Sequence, residues 1–246
     1  MFKSPLVVCL ECASTTSSSS PPSFSFPAGL KNYNPIMALT TAKRDLRKRM
    51  RGVFENLSSA SIIQQSVSAT SHFLALSEYQ NAKSIAVYLS MPTGELSTRN
   101  IVQDALQNGK NVYIPYIHKV DQLSIMDMLA LNSMAEFESL QPDKWGIPSL
   151  QATQIPGRRN CFDATGLDLI VMPGMAFDQG FRRLGHGKGY YDHFLTRYSK
   201  WSNKMPFLVA LSLQEQLLPE NIPVMDHDWL IDAVVVGDGR YLDRRS

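Results

Sequence analysis

Three glycines alternate with a histidine and a lysine between positions 185 and 189, as "GHGKG". Arg182, Arg183 and Leu184 stand just before this run, and Tyr190, Tyr191 and Asp192 just after it. Glycines let backbone N–H groups approach an anion with no Cβ in the way. Arg183 and Lys188 add fixed positive charge, and a helix starting near Tyr190 would aim its positive end at the same place. The chemistry this suits is phosphate binding. Neither familiar nucleotide motif fits, however. Lys188 is followed by Gly189 rather than a metal-binding hydroxyl, and Tyr190 occupies the last glycine position of G-x-G-x-x-G. Asp192 could hold magnesium beside the phosphates, since that ion is usually bound by one or two carboxylates plus phosphate oxygens. Plainer readings stand beside these. Asp192 is also a favoured first-turn acid that needs no metal. Tyr190 and Tyr191 could be core aromatics, His186 a solvent-facing loop residue, and the whole run a generic glycine turn.

The segment "TTAKRDLRKRMRGVFENL" is expected to be a helix capped by Thr40 or Thr41. Leu46, Met50, Val53, Phe54 and Leu57 share one face, and Lys43 and Arg47 lie at its rim. Such cations either snorkel into solvent or reach over a cleft toward an anion. A second helix, Ser59 to about Leu76, is expected to turn Ile62, Ile63, Val67, Phe73 and Leu74 inward. Continuous apolar runs at "SIAVYLSM", "NVYIPYI", "LDLIVM", "PFLVALSL" and "WLIDAVVV" suit buried strands. "LSIMDM" alternates, as a strand nearer an edge does. A helix opening at Ser97 or Thr98 stops at Gly109, and "YYDHFLTRYSKW" is expected to be another. Strands alternating with helices at this spacing predict an α/β fold: a single three-layer domain with a mostly parallel sheet and helices on both faces. Ligands bind at the carboxyl ends of such strands. Three segments should converge there: Met91 to Glu95, Pro173 to Tyr191, and the one before Trp229.

The run "RLGHGKGYYD" resembles the signature R-L-G-x-G-x-G-Y-Y-D of the 5-formyltetrahydrofolate cyclo-ligase (5,10-methenyltetrahydrofolate synthetase) family. Five further segments resemble that family in its order: "KRDLRKRM", "YLSMPTGEL", "KWGIP", "DLIVMPGMAFD" and "PVMDHDWLID". The resemblance implies ATP-dependent closure of 5-formyltetrahydrofolate to 5,10-methenyltetrahydrofolate with magnesium. It implies ATP contacts at Lys43 and Arg47 and through the loop Arg183, Leu184, Gly185, His186, Gly187, Lys188, Gly189, Tyr190 and Tyr191. Lys188 and Arg183 are the implied catalytic cations, and Asp192 and Asp228 the implied magnesium ligands. Substrate contacts are implied at Leu89, Met91, Glu95 and Trp145 and again from His186 to Tyr190; core packing competes with that reading for Met91 and Trp145. His227, beside Asp228, is left out because magnesium prefers oxygen. One departure stands out. The family reads D-x-x-G-x-R-L-G, whereas this chain has "DQGFRRLG", with Phe181 where glycine is expected. The turn leading into the loop is therefore expected to differ.

A formal net charge of +2 over 246 residues makes no global case for nucleic acid or membrane binding. The expected partners are small molecules only, with the chain acting as a monomer. Two other classes compete with the cyclo-ligase: a non-catalytic binding relative, and a different phosphate-handling α/β enzyme. Nothing resembles an RNA-recognition domain, and ATP dependence would separate the second. Residues 1–36 are Ser/Pro-rich, with one acid, Glu11. They are expected to be a disordered transit peptide ahead of a domain over 37–246. The expected destination is the mitochondrion. The segment's lack of arginine leaves the chloroplast open, and Met37 could start a cytosolic form. Cys9, Cys12 and Cys161 form no disulfide or zinc pattern.

Overall fold

The structure is a computed structural model, and residues 35–246 of it are described here. The expected transit segment lies outside the described residues apart from Pro35 and Ile36, which are helical. In chain order the helices are α1 (Pro35–Glu55), α2 (Ser59–Leu74), α3 (Ser77–Asn81), α4 (Arg99–Gln107), α5 (Met134–Ser139) and α6 (Tyr190–Trp201). The strands are β1 (Ser84–Val87), β2 (Asn111–Val120), β3 (Leu123–Leu131), β4 (Gln141–Pro142), β5 (Pro148–Ser149), β6 (Leu169–Met172), β7 (Ala176–Asp178), β8 (Arg183–Leu184), β9 (Phe207–Ser212), β10 (Leu217–Leu218), β11 (Ala233–Val236) and β12 (Tyr241–Asp243).

Seven strands form the main sheet in the order β12-β11-β9-β6-β1-β2-β3. From β11 to β2 all neighbours are parallel, with Ile85 opposite both Val112 and Leu169. Antiparallel β3 and β12 close the edges. The parallel strands are unbroken apolar runs because both faces are covered. On one face Ile85, Val87, Val171 and Val209 meet Phe73 of α2, Tyr79 of α3 and Ile101 of α4. On the other, Ala86, Ile170, Met172 and Val234 meet Phe194, Leu195 and Tyr198 of α6. Each large apolar side chain buried this way contributes about 1.5–3 kcal/mol. The expected three-layer α/β domain is the observed one. Among the described residues no helix is long and apolar enough to cross a membrane.

Two expectations are corrected. First, α1 begins at Pro35, so neither Thr40 nor Thr41 caps it. Thr40 Oγ1 instead donates to the Ile36 carbonyl one turn back, at 2.8 Å, and a proline in the first turn forfeits no helical hydrogen bond. Second, Ile63 and Val67 of α2 do not face inward; they are 65% and 60% exposed. The inner face carries Gln65, Ser66, Ala69, Thr70 and Phe73. Its polar members tie down loops: Gln65 Oε1 accepts from Gln214 N at 2.8 Å, and Ser66 Oγ from Ser97 N at 3.0 Å. That face combines the buried Ala69 and Phe73 with hydrogen-bonded docking.

The strand order places the site. From β1 the chain crosses to β2 on one side, while β6 lies on the other, so the loops after β1 and β6 leave side by side at a topological switch point. Beyond that rim, β10, β7 and β8 make a small three-stranded sheet. Helix α1 packs there, not on the main sheet: Met50, Leu46, Val53 and Phe54 meet Met175, Leu184, Leu218 and Ile222. This third core carries Lys43 and Arg47 to the glycine-rich loop.

Candidate active site

The glycine-rich loop runs from the end of β8 into α6. Gly189 is the N-cap, with φ +68° and no side-chain cap, so the first-turn N–H groups and the positive helix end are left for a ligand. Gly187 has φ +98°, and a Cβ there would stand 3.3 Å from the Arg47 guanidinium carbon. The turn ahead of β8 is built without glycine at its left-handed position. Phe181 itself adopts φ +60°, at a cost of about 1–2 kcal/mol for an L-residue.

The carboxylate of Asp178 holds that turn. Asp178 is 1% exposed. Its Oδ1 accepts from Gly180 N (2.8 Å) and Arg182 N (3.1 Å), and its Oδ2 from Arg182 Nε and Ile222 N, both at 2.7 Å. Asp178→Asn would face two of those donors with an NH₂ group. We expect it to cost about 3 kcal/mol of stability, measured by chemical denaturation; a loss below 1 kcal/mol would show that the turn holds without this carboxylate.

Cations and carboxylates from distant segments meet behind the loop. Lys43 of α1 pairs with Asp228, the two side chains being 9% and 15% exposed. Asp228 Oδ2 also accepts from Met225 N at 2.6 Å. Burial pushes the Asp228 carboxyl up, but Lys43, the Met225 N–H and His227 together hold it below the usual aspartate range. Arg47 Nε donates to the Gly185 carbonyl at 2.8 Å, across 138 residues of sequence. Burial lowers the Arg47 pKa, with Asp228 opposing and Arg51 adding to the shift; an arginine stays cationic regardless. Arg183 Nη2 donates to Asp192 Oδ2 at 2.9 Å, and Asp192 Oδ1 accepts from Trp229 N at 3.1 Å.

These groups surround a pocket of about 210 Å³. Of the residues singled out from sequence, Lys43, Arg47, Arg183, Leu184 and Gly185 line it, as do Gly187, Gly189, Asp192 and Asp228. Thr40, His193, Met225 and His227 also line it and were missed as ligand contacts. Thr40 lies one turn before Lys43 and was legible from helical spacing; Met225 carried no signal. His186, Lys188, Tyr190 and Tyr191 belong to the same loop but do not line this pocket. The Lys188 side chain is exposed and engages in no hydrogen bond or ion pair.

The β1 side faces the same loop. Glu95 is 8% exposed; its Oε2 accepts from Met91 N at 2.9 Å, and its Oε1 lies 3.4 Å from His186 Nε2. Leu89 is buried in the core, so it offers a ligand backbone more than side chain. Met91 is half-buried. Trp145 is 54% exposed, which removes the core-packing reading, and a Cβ on neighbouring Gly146 would stand 2.7 Å from Pro92 Cγ, in the same loop as Met91. Two buried polar atoms lack partners here: Arg183 Nε and the Tyr191 hydroxyl. Burial raises the Tyr191 pKa, with Arg183 opposing and Glu95 reinforcing, so the hydroxyl is protonated. Orphaned buried donors are rare in folded proteins, and these mark room for ligand atoms.

Among the described residues no group of three or more His, Cys, Asp or Glu side chains converges as a metal site would. Asp192 and Asp228 do line one pocket with hard oxygen donors. That set fits magnesium arriving with phosphate oxygens rather than an ion held by protein alone.

The 5-formyltetrahydrofolate cyclo-ligase family matches residues 39–237 of the chain. A mouse 5-formyltetrahydrofolate cyclo-ligase is 36% identical over 202 residues, covering 82% of this chain and 97% of the mouse protein. A mitochondrial 5-formyltetrahydrofolate cyclo-ligase of Arabidopsis thaliana is 31% identical over 223 residues, covering 85% and 79%. The solved structure of an Aquifex aeolicus 5,10-methenyltetrahydrofolate synthetase aligns with a TM-score of 0.65 at 26% identity, covering 83% of this chain and 93% of that one. With the six ordered segments, the switch-point loops and a family match spanning nearly the whole described domain, the chain belongs to the 5-formyltetrahydrofolate cyclo-ligase family.

Proposed function

We propose that the protein converts 5-formyltetrahydrofolate to 5,10-methenyltetrahydrofolate, consuming ATP and releasing ADP and phosphate. The observation that carries this reading is the meeting of two half-sites at one loop. Residues 185–189 have the buried cations Lys43 and Arg183 and the helix end of α6 on one side, and Glu95 on the other.

The formyl group on nitrogen is an amide, whose oxygen is a poor leaving group. That oxygen attacks the γ-phosphorus and ADP departs, leaving an activated iminium phosphate whose carbon is still bonded to the formylated nitrogen. The nitrogen at position 10 then attacks the formyl carbon, loses its proton, and phosphate leaves as the ring closes. Positioning and charge stabilisation do most of such work. Lys43, Arg47 and Arg183 hold the phosphates with the N–H groups of the loop from Gly185 to Tyr191. Lys188, whose ammonium is uncommitted, meets the transferring phosphoryl group. Glu95 accepts hydrogen bonds from pterin N–H groups. Met91 and the exposed Trp145 wall the folate, Leu89 lines the strand end, and residues 186–190 touch both ligands. Asp192 and Asp228 would hold magnesium, which neutralises phosphate charge.

The test is direct. Purified protein given 5-formyltetrahydrofolate, ATP and magnesium should show methenyl absorbance growing in step with ADP. Folded protein with no absorbance change would sink the reading, and turnover without ATP would remove the phosphorylation step. We further propose that residues 1–36 direct the chain to mitochondria, supported by their Ser-rich, acid-poor composition and by the mitochondrial Arabidopsis relative. A fluorescent fusion of residues 1–40 should enter mitochondria; chloroplast or cytosolic signal would refute this.

A further inference from the structure

Four of the charged side chains that the proposed function divides between phosphate and metal already hold one another. Lys43 is paired with Asp228, and Arg183 with Asp192. None of these side chains is more than 15% exposed. The pairs also fasten separate elements together: α1 to the segment ahead of Trp229, and β8 to the first turn of α6. Trp229 N–H on Asp192 links the two attachments.

A phosphate entering alone would have to draw Lys43 or Arg183 away from its carboxylate. The carboxylate left behind would be buried and uncompensated beside an incoming anion. Breaking a buried pair from one side is strongly unfavourable for that reason. A divalent cation entering alone meets the mirror-image obstacle, stranding an ammonium or a guanidinium next to new positive charge. When the two arrive as one complex, the side-chain cations pass to phosphate and the carboxylates to metal. Every buried charge then keeps an opposite partner.

We infer that the Lys43–Asp228 and Arg183–Asp192 pairs act as exchangeable partners, making the pocket select the metal–nucleotide complex over metal-free nucleotide or free metal. This rests on reading the pocket as the nucleotide site. Arg47 and Lys188 are not tied to carboxylates, so the discrimination is a ratio rather than an absolute. The alternative source of a magnesium preference is neutralisation of ATP's own charge. On that account, Asp228→Asn tightens metal-free binding only by relieving repulsion of the anion, and by the same factor in a Lys43→Met background. Partner exchange requires something different: the gain comes from freeing Lys43, so it disappears in a Lys43→Met background.

Isothermal titration of the full chain with ATP, in excess magnesium and in EDTA, separates the two. Wild-type protein should bind at least tenfold more tightly with magnesium. Asp228→Asn keeps an acceptor for Met225 N–H. In EDTA it should bind ATP at least threefold more tightly than wild type does, and its magnesium advantage should fall below threefold. As a second variant, Lys43→Met should abolish that gain: adding Asp228→Asn to it should tighten metal-free ATP binding less than about 1.5-fold. Metal-free ATP binding by Asp228→Asn no tighter than wild type would overturn the exchange while leaving the nucleotide site standing, since wild type still binds. So would an equal gain from Asp228→Asn in wild-type and Lys43→Met backgrounds. Wild-type protein that binds ATP in neither condition would overturn both the exchange and the nucleotide reading.

Discussion

Lys188→Ala is expected to lower kcat by about 10²–10³-fold, the usual loss when one preorganised donor to a charged transition state is removed. The melting temperature should stay within about 2 °C of wild type. The Lys188 ammonium is exposed and unpaired, so its removal leaves no buried charge behind, and surface changes of this kind move stability by about 0.5 kcal/mol or less. KM for ATP should change far less than kcat, because Lys43, Arg47 and Arg183 line the pocket proposed above for the ground-state phosphates. Steady-state kinetics beside a thermal melt tests both halves. A kcat within threefold of wild type would strip Lys188 of its place at the reacting phosphoryl group.

Arg183→Met should act on stability as well as turnover. The Arg183 side chain is 4% exposed, and its removal leaves the Asp192 carboxylate buried with only the Trp229 N–H opposite. Stranding one member of a buried pair costs about 3–5 kcal/mol. For a domain of this size each kcal/mol moves the melting temperature by about 2–4 °C, so a fall of roughly 6–20 °C is expected. Replacing both partners, Arg183→Met with Asp192→Leu, should recover most of that loss, because no buried charge then lacks a partner. It should not recover turnover, since the proposed phosphate contact and the proposed metal ligand are both gone. A single variant that melts within 2 °C of wild type would show that the pair contributes nothing to the fold.

These two residues sit five positions apart in one loop, yet only their surroundings distinguish their effects. Both are basic and both follow the same glycine-rich logic. Arg183 is pinned in β8, against the small sheet that α1 covers, and its charge must be answered inside the protein. Lys188 lies in the open part of the loop, where water answers it.

Much of the fold was legible in order along the chain. Runs rich in apolar residues, such as 85–87, Leu169–Met172 and Ala233–Val236, report strands covered on both faces, because no alternating polar residue is tolerated there. The start of α6 at Tyr190 followed from the glycines before it and the acid in its first turn. The pattern misled where apolar residues were read as facing the core by default. Ile63 and Val67 stand in solvent because α2 turns inward Ala69 and Phe73 together with Gln65 and Ser66, which accept hydrogen bonds from Gln214 N and Ser97 N in distant loops. Those partners lie 149 and 31 residues away, beyond any local period. The turn at Phe181 shows the same limit. A left-handed phenylalanine is disfavoured locally, and it stands where four donors converge on Asp178, one of them from Ile222.

By itself, then, the sequence determined the element types, the glycine-rich loop and the charged residues around it, since backbone freedom, charge and periodicity are local properties. The tertiary structure decided which of those residues meet. It set α1 on a small second sheet beyond the main one, brought Lys43 to Asp228 across 185 residues, and joined Arg183 to Asp192. Such pairings depend on where buried surfaces come together in space, and a buried charge accepts whatever opposite charge the fold delivers to it.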